Sequence, residues 1–172
     1  QRPQPASRNK QPASDGFRYE DYTSPYEEAR AAGLKTTVHT GEDGDADEMA
    51  HVLKVLPLDR VNHGFRAYTS PELMQTVREK NLTLCLCPTS NMKVGFIKDG
   101  AHLKEVIRTL YDNGVKFCIN TDNPAMLKTN LTRELQLMRD YEILSEEEIN
   151  QTVQWARDAS FVPTEPDKNL YL

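Results

Sequence analysis

The sequence predicts an α/β fold built on a parallel sheet, of the kind that closes into a (β/α) barrel of TIM type. Two observations lead to this prediction. Four short apolar segments alternate with amphipathic helical segments, and strands joined by single helices form parallel sheets through right-handed crossovers. Each apolar segment also ends in polar residues, and a barrel collects its active-site groups at that end of its strands.

The first predicted strand is a short apolar stretch at residues 34–38, and a histidine and a glutamate follow it. The other three strands, each counted with the polar residues that follow it, cover residues 60–64, 82–91 and 115–124. The continuous apolar character of residues 82–87 indicates a strand that is buried on both faces.

Two helices flank the first strand. Residues 26–33 are predicted to be helical, because Pro25 suits a first turn and Gly33 suits a C-terminal stop. Residues 45–56 form the second helix, since acidic residues crowd its start and its apolar residues share one face: Met49, Val52, Leu53 and Leu56.

The next two helices follow the second and third strands. Residues 70–80 have Ser70 as a suitable N-cap and Pro71 at the first helical position. Residues 102–113 place four apolar side chains inward and stop at Gly114. These helices complete the alternation of strand and helix.

Two further helices are predicted after the last strand, over residues 131–144 and 146–160. The second begins with Ser145 as N-cap and Glu148 at the capping-box position. Both are expected to pack outside the sheet.

The start of the chain differs from the rest in composition. Residues 1–14 contain three prolines, three glutamines and no large apolar side chain, so they cannot offset the entropy lost on ordering. We therefore expect residues 1–16 to be disordered or tail-like and residues 17–172 to form the folded part.

Bulk properties exclude several classes of partner. The net charge of −5 gives no basic surface for a phosphate backbone, so nucleic acid is not expected as a partner. The sequence contains neither an apolar run that could span a membrane nor a signal-peptide pattern. Cys85, Cys87 and Cys118 lack zinc-ribbon or disulfide spacing and are interpreted as reduced core residues of a cytoplasmic protein.

The polar strand ends carry four motifs in order: His39-Thr40-Gly41-Glu42, Asn62-His63-Gly64, Cys87-Pro88-Thr89-Ser90 and Asn120-Thr121-Asp122-Asn123-Pro124. With these motifs, residues 34–163 resemble the C-terminal half of the adenosine and AMP deaminase group of the metal-dependent amidohydrolase superfamily. The resemblance implies the C-terminal half of a TIM-type barrel, about four βα units, with additional C-terminal helices.

The resemblance also implies roles at these strand ends. His39 and Asp122 would be zinc ligands, and Glu42 would protonate the purine ring nitrogen beside the attacked carbon. His63 would orient and polarise the hydroxide that zinc supplies, while Asp122 would also accept the proton of the water. The chemistry is consistent, because zinc lowers the pKa of water to about 7 and an aromatic amine leaves only from a protonated ring.

The substrate side of the site includes one departure from the family pattern. Gly64 and Ser90 would lie in loops beside the pocket, whereas Asn123 stands where the family has a second aspartate. An asparagine amide can donate a hydrogen bond to a purine ring nitrogen without being protonated first. The choice among adenosine, AMP and modified aminopurines stays open.

The metal site shows a second departure. The family also uses a His-x-His on the first barrel strand, and this sequence has no such pair. A complete barrel takes about 250 residues and eight strands. We therefore expect a missing N-terminal half-barrel with His-x-His, and we expect this chain to associate through its open sheet edges.

Three functions remain in competition. The leading one is zinc-dependent hydrolytic deamination of a 6-aminopurine nucleoside, giving the 6-oxo purine and ammonia. The second is a catalytically silent half-barrel used for binding or assembly, favoured by the missing ligands. The third, another amidohydrolase reaction, is disfavoured because Glu42 matches the proton donor of the deaminase group.

The remaining histidines and cysteines have simpler interpretations. His51 and His102 lie in predicted helices and are taken as surface or packing residues. Cys85 and Cys87 point to one face of a strand, so that a soft-metal site is conceivable, but burial in the core is the preferred interpretation.

Overall fold

The computed structural model describes residues 18–162 of the 172-residue chain, and the predicted tail at residues 1–16 lies outside that range. Within it, four strands form one sheet in the order β1-β2-β3-β4, and every neighbouring pair is parallel. The strands are β1 (Thr37–Thr40), β2 (Arg60–His63), β3 (Thr83–Leu86) and β4 (Phe117–Ile119). The predicted parallel α/β sheet is therefore confirmed.

Helices connect and follow these strands. They are α1 (Thr23–Ala31), α2 (Ala46–Val55), α3 (Pro71–Glu79), α4 (Pro88–Lys93), α5 (Gly100–Asp112), α6 (Pro124–Leu127), α7 (Leu131–Asp140) and α8 (Glu146–Asp158). Two 3₁₀ segments, Tyr19–Tyr22 and Phe65–Thr69, complete the described elements.

The predicted helix starts follow from their capping residues. The Ser70 side chain accepts a hydrogen bond from the Leu73 amide at the start of α3, and Pro71 is the first helical residue. At α8, Ser145 and Glu148 make both hydrogen bonds of the capping box. Both N-terminal predictions are confirmed.

The first strand begins later than predicted, at Thr37, and Leu34 is 62% exposed. The cause lies in the preceding helix end. Gly33 adopts a positive φ of 82°, and the amides of Gly33 and Leu34 donate to the carbonyls of Arg30 and Ala29. This is a Schellman motif, which uses the Leu34 amide to complete α1. The prediction of Gly33 as the stop is correct, and the prediction of Leu34 as a strand residue is wrong.

The third strand also ends earlier than the predicted segment. Residues 88–93 form the short helix α4, and Pro88 occupies its first position, where the missing amide hydrogen costs nothing. The polar residues predicted at the end of this strand therefore belong to a helix, and their side chains follow helical rather than strand periodicity.

The two faces of the sheet differ in chemistry. Val61, Leu84 and Phe117 are fully buried and belong to one core cluster with side chains from helices α2, α3 and α5. Because successive strand residues alternate between faces, their neighbours point the other way. That second face carries an in-register row: His39, Asn62, Cys85 and Cys118. No helix within residues 18–162 has the length and apolar character needed to cross a membrane.

We predict that Gly64→Ala destabilises the fold more than Gly33→Ala. Both glycines have positive φ, +79° and +82°, which costs an alanine about 1–2 kcal/mol. A Cβ at Gly64 would also lie 2.7 Å from Leu84 Cδ2, whereas a Cβ at Gly33 meets nothing within 4 Å. Overpacking adds about 1–3 kcal/mol at Gly64. Urea unfolding measures the difference, and equal losses for the two variants would contradict this account of the packing.

Candidate active site

The carboxyl ends of the four parallel strands bring three ionisable side chains together. Glu42, His63 and Asp122 each place one potential ligand atom within 4.8 Å of the other two. His63 Nε2 lies 3.3 Å from Glu42 Oε2. All three residues had been assigned catalytic roles from their motifs, and the fold places them at one position.

Two of these residues have left-handed backbone conformations. His63 has a φ of 63° and Asp122 a φ of 55°. Such conformations cost about 1–3 kcal/mol each in residues other than glycine and concentrate at functional sites. The backbone therefore turns sharply at the two strand ends and directs both side chains to the site.

His63 is held from its far side by Asn91. Its ring is almost fully buried, and Nδ1 lies 3.2 Å from Asn91 Oδ1. The other ring nitrogen, Nε2, faces Glu42. This arrangement fixes the orientation of the imidazole.

Asp122 is held by Ser90. The Ser90 hydroxyl donates a hydrogen bond of 2.7 Å to Asp122 Oδ2, and Ser90 is only 3% exposed. Ser90 and Asn91 are consecutive residues of α4. No sequence motif assigns Asn91 a role, although its place directly after Ser90 at the same strand end was a usable signal.

The protonation of Glu42 is altered by its surroundings. Burial is the largest effect and raises the pKa of Glu42, and the carboxylates of Asp43 and Asp122 act in the same direction. His63 and His39 oppose the rise in this pKa. The pKa of Glu42 is therefore shifted in the direction that suits a proton donor, because a carboxyl with a higher pKa keeps its proton to higher pH.

The other residues predicted for the site lie around this group. His39 is exposed and outside the three-residue group, although its ring centroid is 5.4 Å from that of His63. Asn123 is exposed and caps α6, accepting a 3.1 Å hydrogen bond from the Met126 amide. Gly64 follows His63 directly and packs against Leu84.

A cavity of about 260 Å³ opens beside these strand ends. Its walls are His39, Arg60, Asn62, His63, Cys85, Cys87, Asn120, Thr121 and Asp122. The polar second face of the sheet thus forms one side of the site.

The three cysteines are buried and unpaired, as predicted for core residues. Burial, followed by the nearby charge of Asp122, raises the pKa of Cys87 to about 12. A hydrogen bond with Cys118 raises the pKa of Cys85. The raised pKa values are typical of buried core thiols, and neither cysteine belongs to the group of potential metal ligands found within residues 18–162.

The donor set at the strand ends fits zinc. Imidazole nitrogen and carboxylate oxygen are standard ligands of this ion, and Glu42, His63 and Asp122 bring both types within 4.8 Å of one another. Of the two ligands that the resemblance implies, Asp122 belongs to this group and His39 does not. His39 supplies a second imidazole at the edge of the cavity.

A parallel βα sheet with an imidazole and two carboxylates gathered at its carboxyl ends has the architecture of a (β/α)-barrel enzyme. The sequence profile of the adenosine deaminase family matches residues 9–171. The chain belongs to the adenosine deaminase family of the amidohydrolase superfamily, and the resemblance carried by the four motifs is confirmed.

Individual proteins that are similar to this chain support the assignment to this family. The chain is 32% identical over 158 residues to an adenosine deaminase of Plasmodium vivax, covering 88% of this chain and 43% of the relative. An adenine deaminase from Arthrobacter aurescens shares the fold with a TM-score of 0.76 at 23% identity, covering 87% and 45% of the two chains. An amidohydrolase from Burkhoderia ambifaria, solved with bound Zn, gives a TM-score of 0.72 at 24% identity, covering 88% and 42%.

These alignments share one property. The chain spans less than half the length of these three proteins, 43%, 45% and 42% respectively. The four strands described here thus correspond to part of a barrel.

Proposed function

We propose that this chain carries the acid and base groups of a zinc-dependent hydrolytic deaminase that converts a 6-aminopurine nucleoside, adenosine in the first instance, to the 6-oxo nucleoside and ammonia. The convergence of Glu42, His63 and Asp122 is the observation on which the proposal depends. Similarity to an adenosine deaminase and to an adenine deaminase supports the reaction class.

Glu42 is the proton donor in this proposal. Its raised pKa, caused first by burial, favours the protonated carboxyl. Protonation of the ring nitrogen beside the amino-bearing carbon makes that carbon electrophilic and allows water to add. The same proton transfer prevents a buildup of negative charge on the ring.

His63 and Asp122 act on the attacking water. Asp122, oriented by the Ser90 hydroxyl, accepts a proton from that water. His63, oriented by Asn91, holds the water over the ring through Nε2. Zinc bound by His39 and Asp122 would lower the pKa of the water to about 7, so that a nucleophile exists at neutral pH. Asp122 then gives this proton to the amine, and the C–N bond breaks to release ammonia. The hydroxyl on the ring becomes the carbonyl of the product, and its proton returns to Glu42.

Asn123, Gly64 and Ser90 form the substrate side of the proposed site. The Asn123 amide oxygen is engaged in capping α6, which leaves its NH₂ group as the available donor. A donor at this position suits an unprotonated ring nitrogen of the purine. Gly64, directly after His63, leaves room for the ring beside the catalytic imidazole.

The complete site requires further residues. The sheet order leaves β1 and β4 each paired on one side only within residues 18–162, and no His-x-His occurs in the sequence. A half-barrel of parallel strands that ends its first strand in His-x-His would pair both edges and complete the metal ligands. It could belong to the same polypeptide or to another chain.

Self-association is a weaker way to close the barrel. Arg60 lines the cavity side of the sheet; its Nε is buried without a hydrogen-bond partner, and its guanidinium carbon lies 3.9 Å from the centroid of the Phe161 ring. Two copies around one barrel axis would place two Arg60 guanidinium groups in the same interior. A partner half that offers a carboxylate at this level satisfies the charge, whereas a second copy repels it.

The cellular setting belongs to the same proposal. Three buried cysteines remain unpaired, which agrees with a reducing compartment, and we propose the cytoplasm. The net charge of −5 agrees with a nucleoside substrate and not with a nucleic acid.

We predict that Glu42→Gln, in the assembled enzyme, lowers kcat by about 10²–10⁴-fold with little change in KM, because an amide cannot deliver the proton. Steady-state kinetics with adenosine provide the measurement. Glu27→Gln is the matched control, since it makes the same substitution at an exposed residue of α1 that belongs neither to the cavity lining nor to the group of Glu42, His63 and Asp122. Normal turnover by Glu42→Gln would remove Glu42 from the mechanism.

Asn123→Asp is predicted to make substrate affinity depend on pH. The wild-type amide donates at every pH, whereas an aspartate donates only when protonated, so affinity of the variant should fall as pH rises through about 4–6. The measurement is KM for adenosine as a function of pH. A variant whose KM follows the wild-type profile would show that Asn123 does not touch the ring.

Residues 1–172 alone are predicted to bind zinc weakly and to leave adenosine unchanged, because His39 and Asp122 are too few ligands for a catalytic zinc. Activity should return when a His-x-His half-barrel is supplied. The measurements are adenosine turnover at saturating zinc and molar mass by light scattering. A monomer that turns adenosine over would contradict the half-barrel account, and a completed barrel without turnover would favour the silent alternative.

A further inference from the structure

One buried carboxylate lies outside the site described above. Glu134 in α7 has no solvent exposure. Its Oε2 accepts a 3.0 Å hydrogen bond from the Thr89 amide, and its Oε1 accepts a 2.5 Å hydrogen bond from the Thr129 hydroxyl. Burial of a carboxylate is costly unless it is hydrogen-bonded, so both contacts are important for its place in the fold.

The Thr89 contact caps α4 from another helix. Cys87, at the N-cap position, makes no side-chain capping hydrogen bond to this helix, and Pro88 has no amide hydrogen. The first N–H group of this helix therefore belongs to Thr89, and it has no acceptor within the helix. Glu134 supplies the acceptor that an N-cap side chain normally provides, and its carboxylate suits the positive end of the helix dipole.

Helix α4 holds both catalytic partners. Ser90 donates to Asp122, and the next residue, Asn91, faces His63 Nδ1. Ser90 and Asn91 are 3% and 0% exposed. A displacement of α4 would therefore disturb the orientation of both His63 and Asp122.

The Thr129 contact connects α7 to the segment that carries Asp122. Thr129 follows α6 and bonds through its amide to the Pro124 carbonyl, a few residues after Asp122. Lys93, the last residue of α4, also donates to the Leu127 carbonyl of α6. Glu134 thus lies where hydrogen bonds connect α4 with the segment that follows β4.

We propose that Glu134 is a positioning residue for the catalytic pair: by capping α4 and holding Thr129, it fixes Ser90 and Asn91 and, through them, Asp122 and His63. It does not touch the substrate. The consequence for turnover rests on the proposed deaminase function, whereas the consequence for α4 does not.

The test compares three substitutions in the full chain. Glu134→Met removes both acceptor atoms while keeping the volume and helix propensity of the side chain. Glu134→Gln keeps an oxygen for the Thr89 amide, and the Thr129 hydroxyl can rotate to accept from its NH₂ group. Met138→Ala is the matched control, because Met138 is fully buried one turn further along α7 and takes no part in the hydrogen bonds of Thr89 and Thr129 with Glu134.

Two readouts need no activity. Hydrogen exchange followed by mass spectrometry should show at least tenfold faster exchange over residues 88–94 in Glu134→Met, with exchange in α5 unchanged. Diethyl pyrocarbonate should modify the buried His63 ring at least tenfold faster. Glu134→Gln should stay within about threefold of wild type in both, and Met138→Ala should leave residues 88–94 protected despite its lower stability.

A third readout applies in the assembled enzyme, where Glu134→Met should lower kcat about 10–100-fold, the range seen when outer partners of site residues are lost, with KM nearly unchanged. Wild-type protection of residues 88–94 in Glu134→Met, or equal deprotection in Met138→Ala, would overturn the proposal. If Glu134→Met does not fold, Glu134→Asp, which keeps the charge but shortens the reach, is judged by the same two readouts. Absence of turnover in the wild-type assembly would count against the proposed function alone.

Discussion

The parallel register of the four strands is the constraint on which the site depends. Val38 pairs with Val61, Val61 with Leu84 and Leu84 with Phe117, so that all four carboxyl ends reach the same edge of the sheet. A shift of one residue in any strand would turn its core side chains to the opposite face, and the complete burial of Val61, Leu84 and Phe117 opposes such a shift. The hydrophobic core therefore determines where Glu42, His63 and Asp122 meet, although none of them belongs to it.

The strand ends alone do not determine how these groups point. His63 and Asp122 adopt left-handed conformations that cost about 1–3 kcal/mol each, and this cost must be offset by the contacts around them. Ser90 and Asn91 provide the offset through one part-buried and one buried hydrogen bond, each contributing about 0.5–3 kcal/mol depending on charge. One short helix thus stabilises two strained turns, which explains why two consecutive side chains of α4 are buried and polar.

Much of this arrangement could be predicted from the sequence, because it depends on local rules. Apolar segments alternating with helices predicted the parallel sheet, and Ser70 and Ser145 marked helix starts through their own hydrogen bonds. The features that the sequence did not predict depend on contacts of two kinds. Some join residues that are distant in the chain, and others use a backbone group at a helix end that would otherwise belong to a strand. The Leu34 amide completes a helix end, and Glu134, which has no motif of its own, caps a helix 45 residues earlier in the chain. Neither periodicity nor spacing carries information about such a partner.

The hydrogen bonds that orient the site side chains show which parts of the site this chain forms by itself. Asp122 and His63 are oriented by Ser90 and Asn91 of the same chain, and the burial that raises the pKa of Glu42 is already present in residues 18–162. The three proposed catalytic groups are therefore positioned by contacts within residues 18–162. The supply of metal ligands is different, since His39 is exposed at the edge strand β1, where a neighbouring strand would pack. We infer that completing the barrel principally creates the metal site and closes the cavity, while the acid and base geometry is a property of this half of the fold.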